Sequence, residues 1–398
     1  MTSAPKARRP ALPGNVKAII WARAAGRCQF EGCNKPLIGD LVSGNANLNT
    51  AYIAHIVSDA PAGPRGNVTD SPRLSKNPDN LMLMCDPHHR EIDGSSTWRN
   101  YSVERLQNMK KAHEVRIATN TAIDPSRACH VIRFAANIGT NESPVAPDHI
   151  KTALIPDRYP AEGGWIDLDV PDLGVPDHDD SYWSMHRNIL RQKYSEKIRG
   201  RLERGEIKRL AVFALAPIPL LVELGRLISD ISDAEVRQLL REPKGWAWDR
   251  KQGRLNLSRQ EAAGQPDIVA LKLEISGMID NSRITAVLGN DVSIWSIAAE
   301  GAHNDIMRTP EDLRHWRQET RRALEAIKDR HREARIVHVF PAVPVSAAVE
   351  LGRVWMPKAH IPMRIYDQNW AKGGFAPALD VIHEQGRLSD ELSRSIPQ

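Results

Sequence analysis

The chain contains no run of about 18 apolar residues, so it offers no membrane-spanning helix and no membrane partner is expected. It holds only four cysteines in 398 residues, which excludes a disulfide framework and points to a reducing, cytoplasmic setting. Aromatic residues make up just 5%, although the 41% hydrophobic content suffices for the cores of two or three soluble domains. The N-terminus, with Lys6, Arg8 and Arg9, is basic but leads into no apolar signal core. Residues 1–13 read as a disordered, Pro- and Arg-rich tail. The last two-thirds also lack any basic excess. Residues 1–120 carry 16 Lys/Arg against 10 Asp/Glu, whereas residues 121–398 carry 38 against 39. Positive charge suited to a nucleic-acid backbone therefore belongs to the N-terminal part.

What is present there is a set of metal-type ligands at short spacings. Cys28 and Cys33 frame one candidate knuckle, and Cys85 and His88 frame a second at a strand-to-helix turn. Together they make a closed Cys₃His set suited to structural zinc. Cys129 is left over as an unpaired thiol. Val16 to Ala25 reads as a helix stopped by Gly26. Residues 39–50 read as a turn before the strand Tyr52 to Val57, which carries His55. Residues 58–78 read as one long loop, with Arg65 and Arg73 as candidate phosphate contacts. Leu81 to Met84 reads as a buried strand. His89 and Asp93 are spaced to share one face of the following helix and could hold a second metal. Ser102 reads as the N-cap of a helix reaching about Ala118, and residues 121–129 as a linker.

The order Cys28, Cys33, His55, Asn80, Cys85, His88, His89 resembles that of the HNH (ββα-metal) nucleases over roughly residues 14–118. The resemblance implies a zinc-stabilised, treble-clef-like α+β domain over residues 14–120 that cuts double-stranded DNA. It makes His55 the general base, Asn80 a residue orienting the base or its loop, and His89 with Asp93 the ligands of a catalytic divalent cation. Many members of that family place Asp just before the base; here that position is Ala54. The metal is left with fewer protein ligands, and Mg²⁺ is expected, with Mn²⁺ or Ni²⁺ also compatible with an imidazole.

The C-terminal part reads differently. Residues 155–180 look like loop, and Tyr182 to Glu203 like a charged helix. The phrase Val222-Glu-Leu-Gly-Arg226 returns identically as Val349-Glu-Leu-Gly-Arg353, 127 residues on, each copy after an apolar strand and a proline turn. Units around 209–226 and 335–353 therefore read as duplicated β-α pieces of parallel sheet, with the repeated motif packing helix against sheet. Residues 130–398 resemble the SAVED domain, a fused pair of CARF-like Rossmann-type units that senses cyclic oligonucleotides. The two parts together resemble the HNH–SAVED effector nucleases of bacterial CBASS anti-phage defence. That resemblance implies a cyclic di- or oligonucleotide activator and a homo-oligomer on activation. Ligands of parallel sheets bind beyond the carboxyl ends of strands, near Pro217, Pro219, Pro344 and Ser346. Trp246, Trp248, Trp295 and Tyr366 are candidate stacking partners for bases, and Lys244, Arg226 and Arg353 candidate phosphate contacts. A competing reading is an HNH restriction endonuclease whose C-terminal domain binds modified DNA or an effector; the net charge of residues 121–398 speaks against it. A second is a non-enzymatic zinc module fused to a receptor, which leaves His55, Asn80 and His89 without a joint purpose.

Overall fold

The computed structural model describes residues 11–40, 45–138, 145–171, 173–249, 255–262, 264 and 266–382. Most of the expected N-terminal tail lies outside them. The chain divides into two compact units, Met1–Asp124 and Pro125–Gln398.

In the first unit, α1 (Gly14–Ala24) buries Val16, Ile20 and Ala24, one residue per turn on a single face. Ala25 and Gly26, both at positive φ, end it. Residues 39–50 are not a simple turn: β1 (Ile38–Asp40) pairs antiparallel with β2 (Asn45–Asn49), and residues 41–44 lie outside the described residues. The central ribbon is β3 (Ala51–His55) antiparallel to β4 (Leu81–Cys85), with His55 opposite Leu81 and Ala51 opposite Cys85. Every residue of β4 is buried, as its unbroken apolar run requires. The long connection contains a short helix, α2 (Asp70–Leu74), missed because Pro72 sits inside it. Cys85 leads straight into α3 (Asp86–Asp93), opened by Pro87, whose missing N–H costs nothing in a first turn. Ser102 caps α4 (Val103–Thr121) by accepting from the Arg105 N–H. The helix runs three residues past its expected end. No extended linker follows: a single turn at Pro125–Arg127 reaches the next strand.

That strand is β5 (Ala128–Ala135), which buries Cys129 as a free thiol. Then come α5 (Pro147–Leu154), β6 (Tyr159–Asp167), α6 (Asp180–Tyr194), a π-turn into α7 (Gly200–Glu203), β7 (Leu210–Leu215), α8 (Ile218–Ile228) and β8 (Ala234–Val236). β6 corrects the expected loop. Its Pro160 and two glycines hide the strand pattern, and an edge position in the order β6-β5-β7-β8 tolerates them. A two-residue hairpin, β9 (Leu240–Arg241) with β10 (Lys244–Gly245), follows. The second half contains β11 (Leu257–Gln260), β12 (Val269–Glu274), α9 (Asn281–Leu288), β13 (Ser293–Ala299), α10 (Pro310–Arg330), β14 (Val337–Ala342), α11 (Val345–Val354), β15 (Met363–Asn369) and β16 (Gly374–Val381). Its sheet runs β11-β13-β12-β14-β15-β16, with β11 and β16 antiparallel edges on a parallel core.

The cores of the two sheets, β6-β5-β7-β8 and β13-β12-β14-β15, have one topology, so the duplication extends well beyond the repeated motif. One apolar cluster joins the inner faces of both sheets through α8 and α11, including Val212, Leu220, Leu224, Val339, Val349 and Leu351. Smaller clusters fill the outer faces, under α5 in one half and α9 in the other. The repeated motif packs helix against sheet, as expected, and also helix against helix. A Cβ at Gly225 would stand 1.9 Å from the Val349 carbonyl oxygen, and one at Gly352 would stand 1.9 Å from that of Val222. Glycine lets the two backbones touch, reciprocally, about a pseudo-two-fold axis.

The flanking charges repeat too. Glu223 accepts from Arg226 at 2.8 Å and from Arg191 of α6 at 2.5 Å. Glu350 accepts from Arg353 at 2.7 Å, with Arg317 of α10 3.1 Å away. Burial works against the Glu223 charge, yet Arg226 and Arg191 hold its carboxyl below its ordinary value.

Candidate functional site

The knuckle is built by pinning one loop to β4. Gln29, fully buried, donates its backbone N–H to the Leu83 carbonyl (2.9 Å) and accepts the Leu83 N–H on its side-chain oxygen (2.8 Å). That brings Cys28 beside Cys85. Gly32 and Asn34, at positive φ, turn the loop back past Cys33. The ligand atoms of Cys28, Cys33, Cys85 and His88 all lie within 4.8 Å of one another, the only such group of three or more among the described residues. His88 Nδ1 is 3.2 Å from Cys85 Sγ and 3.7 Å from Cys28 Sγ, and its ring stacks flat on Phe30 at 4.1 Å. Three thiols and an imidazole converging this tightly fit a tetrahedral zinc. Burial pushes the Cys28 thiol up to about 12, so holding it as a thiolate takes a cation in the pocket.

A second group faces a cavity of about 200 Å³ lined by His55, His89 and Asp93, together with Ile53, Ser58, Asp59, Ser75 and Lys76. His55 Nε2 lies 3.0 Å from the Ser75 carbonyl oxygen. A carbonyl only accepts, so Nε2 carries the hydrogen, and in the neutral ring the lone pair sits on Nδ1. His89 Nε2 is 3.8 Å from Asp93 Oδ2, and the His89 ring stacks on Tyr52 at 5.0 Å. Asn80 does not line this cavity. It is buried and clamps the chain after His55: its amide accepts the Val57 N–H (2.8 Å) and donates to the Val57 (2.9 Å) and Leu74 (3.2 Å) carbonyls. It is a positioning residue.

Arg65 is not a surface contact for phosphate. Its side chain is 4% exposed and donates to the Ile56 carbonyl (2.6 Å), the Ile92 carbonyl (2.7 Å) and Asp93 Oδ1 (2.6 Å). It straps the end of β3 to the end of α3, and these bonds offset its positive φ of 57°. Arg73 is paired with Asp70 at 2.6 Å. Asp93 therefore offers one oxygen toward His89 and gives the other to Arg65. His89 and Asp93 fit a divalent cation only if water and substrate oxygens complete its shell. Asp59, Lys76, Tyr52 and the Arg65 strap escaped sequence reading because no spacing rule links a loop residue to a helix face.

In the second unit, the aromatic candidates are core. Trp246 is 2% exposed and packs edge-on against Phe213; Trp295 is 1% exposed and donates to His331 Nε2 at 3.1 Å. Tyr366 is buried, stacks on Phe340 at 4.4 Å and lies 2.9 Å from His338 Nδ1. Burial pushes its hydroxyl up to about 12 and His338 down to about 4. Trp248 packs partly buried against the main core, while Lys244 is exposed on the small hairpin. Arg226 is spent on Glu223. Arg353, buried, donates to the Ser229, Ser232 and Ala234 carbonyls and closes the end of α8. Pro217 and Pro344 cap α8 and α11 as expected of strand-end turns, but they and Pro219 are buried. Ser346 gives its N–H (3.1 Å) and hydroxyl (2.7 Å) to the Gln238 side-chain oxygen from the other half. The α11 N-terminus is thus already capped. The exposed aromatic at the carboxyl end of the second sheet is Trp370, 87% accessible in the turn after β15. No periodicity marks it in the sequence.

Among the described residues no helix is long and apolar enough to cross a membrane. Residues 190–381 match the family described as SMODS-associated and fused to various effectors sensor domain, so the chain carries a C-terminal SAVED domain. No curated protein matches the chain. Solved structures similar to it include the Acinetobacter baumannii Cap4 SAVED/CARF-domain containing receptor with the cyclic trinucleotide 2′3′3′-cAAA. That match has 16% identity and a TM-score of 0.43, covering 70% of this chain and 56% of that one. A second structure of the Acinetobacter baumannii Cap4 SAVED/CARF-domain containing receptor matches at 14% identity and TM-score 0.40, over 79% and 65% of the two chains. A Moraxella osloensis Cap4 receptor matches at 14% and 0.38, over 70% and 58%. This chain thus spans less than two-thirds of the length of these structures.

Proposed function

We propose that this protein is a DNA endonuclease of the HNH type, switched on by a cyclic di- or oligonucleotide and serving anti-phage defence. The observation that carries the nuclease reading is the meeting of His55, His89 and Asp93 around one cavity, beside a Cys₃His knuckle that stiffens the same ribbon and helix. Water in that cavity gives a proton to His55 Nδ1 as its oxygen attacks phosphorus, the bond from phosphorus to the 3′ oxygen breaks, and that oxygen takes a proton from solvent. The products carry 5′-phosphate and 3′-hydroxyl ends. The Ser75 carbonyl holds the base in the required tautomer, and the Asn80 clamp and Arg65 strap hold its strand against α3. A divalent cation held by His89 and Asp93, with Mg²⁺ the expected ion, would supply positive charge for the phosphate and the leaving oxygen. Zinc in the knuckle would be structural.

The SAVED domain supports the sensor half of this reading. A nuclease acting on its own cell's DNA needs an off state, and ligand-driven assembly of several chains provides one. Moving from about 1% to 99% active takes roughly 5.5 kcal/mol of differential affinity. Supercoiled plasmid incubated with the full chain, Mg²⁺ and a panel of cyclic di- and trinucleotides tests it. Nicking is expected with one member of the panel, together with a rise in mass by mass photometry. His55→Ala should abolish cleavage and leave ligand binding and assembly intact. Full cleavage by that variant sinks the assignment.

A further inference from the structure

The loop between β3 and β4 carries three cations, and the structure spends two of them. Arg65 is buried in its strap, and Arg73 is paired with Asp70. Lys76 is different. It is exposed, lines the same cavity as His55 and His89, and has no ion-pair partner among the described residues. It directly follows Ser75, whose carbonyl accepts from His55 Nε2, so backbone geometry ties the root of this side chain to the base.

The site around it is short of positive charge. Ala54 is buried in the core and lines no part of the cavity, and Asp93 shares its charge with Arg65, so a metal would be held by few protein atoms. The attacked phosphodiester gains negative charge as water adds, and charge stabilisation placed where it develops is the largest single lever on such a step. A lysine ammonium is a compact point charge on a flexible stem and suits phosphate oxygens.

We propose that Lys76 is a further catalytic residue, whose ammonium binds a non-bridging oxygen of the scissile phosphodiester and neutralises its growing charge. This rests on the nuclease reading above. It also separates Lys76 from cations that merely track the DNA backbone, which act on binding and salt dependence alone.

The test uses the full chain, supercoiled plasmid and Mg²⁺, with cyclic di-AMP, cyclic GMP-AMP and cyclic tri-AMP as activating probes. Lys76→Ala is expected to lower kcat about 10²-fold while KM stays within about twofold, and Lys76→Arg to recover about a tenth of the loss. Proteolysis and metal content unchanged from wild type would exclude misfolding at this exposed site. Unchanged kinetics would overturn the proposal. So would a raised KM with unchanged kcat and a salt slope reduced by about 1, the mark of a backbone contact. His55→Ala runs in parallel. If the wild type cuts and His55→Ala does not, only the role of Lys76 is at stake. If the wild type cuts with none of the probes, or His55→Ala cuts fully, the nuclease reading falls and takes this inference with it.

Discussion

The two units of this chain solve the problem of staying folded in opposite ways. The first has one small apolar cluster and relies on polar side chains aimed inward: three thiols, His88, the Asn80 clamp and the Arg65 strap. The second has a large apolar core shared by two sheets, and the ion pairs of Glu223 and Glu350 within it are repeated by duplication. A unit held by polar convergence has chemically able groups in its interior by construction. A unit held by apolar packing keeps its chemistry for the rim.

The sharpest way to break this contrast is to remove a knuckle ligand. Metal analysis should find about one zinc per chain, a bond set worth on the order of 10 kcal/mol in small zinc modules. Cys85→Ala should strip amide protection from α1, β3, β4 and α3 in hydrogen exchange, while β12 and β14 keep theirs. Well-protected, zinc-free protein would end the contrast. The next effect lies in the second unit. Gly225→Ala or Gly352→Ala puts a methyl where a carbonyl already stands, so the two helices must part at about 3 kcal/mol or more. Because one separation accommodates both methyl groups, the double variant should cost clearly less than the sum, read from urea-dependent exchange in β7 and β14.

The smallest effect is one of pH. Burial, with Asp177 adding to it, pushes the Asp367 carboxyl up to about 7. The unfolded chain releases that proton near 4, so stability from this group is full below about 4 and is lost as pH rises through about 7. Asp367→Asn should stabilise β15 and β16 above pH 7 on the order of 2 kcal/mol, and by much less at pH 4. Equal gains at both values would show that the carboxyl is already charged when folded. His338 and His360, pushed down to about 4 by burial, act in the opposite sense: their contribution is lost as pH falls from about 6.5 toward 4. Comparing variant with wild type at each pH cancels them.

How far the sequence could be read follows the same division. Cys28, Cys33, Cys85 and His88 were legible because ligand spacing is local, and the turn that holds each pair is written in the residues between them. The VELGR repeat revealed the duplication, since identity needs no structure to be seen. Its helix–helix contact did not show, because Gly225 touches Val349 across a distance in sequence that no pattern spans. β6 was lost because pairing with β5, not its own residues, makes it a strand. The tryptophans were misplaced for a plain reason: a large ring reads equally well as core or as ligand contact until burial is known. Arg65 read as surface because charged residues usually are; four hydrogen-bond acceptors gathered in one place let it be buried.

The reciprocal contact of Gly225 and Gly352 has the form of an isologous interface, in which one patch meets its own copy. In a true dimer of identical chains, every substitution strikes both sides at once, and the two rims must remain the same. Fusing the copies into one chain lifts that constraint. The helix starts already differ: register matches Gln238 to Asp367 and Ser346 to Pro219, so an amide caps a hydroxyl-bearing turn in one half while the other has a carboxyl and a proline. A receptor built this way can keep a symmetric frame and still tell one end of its ligand from the other.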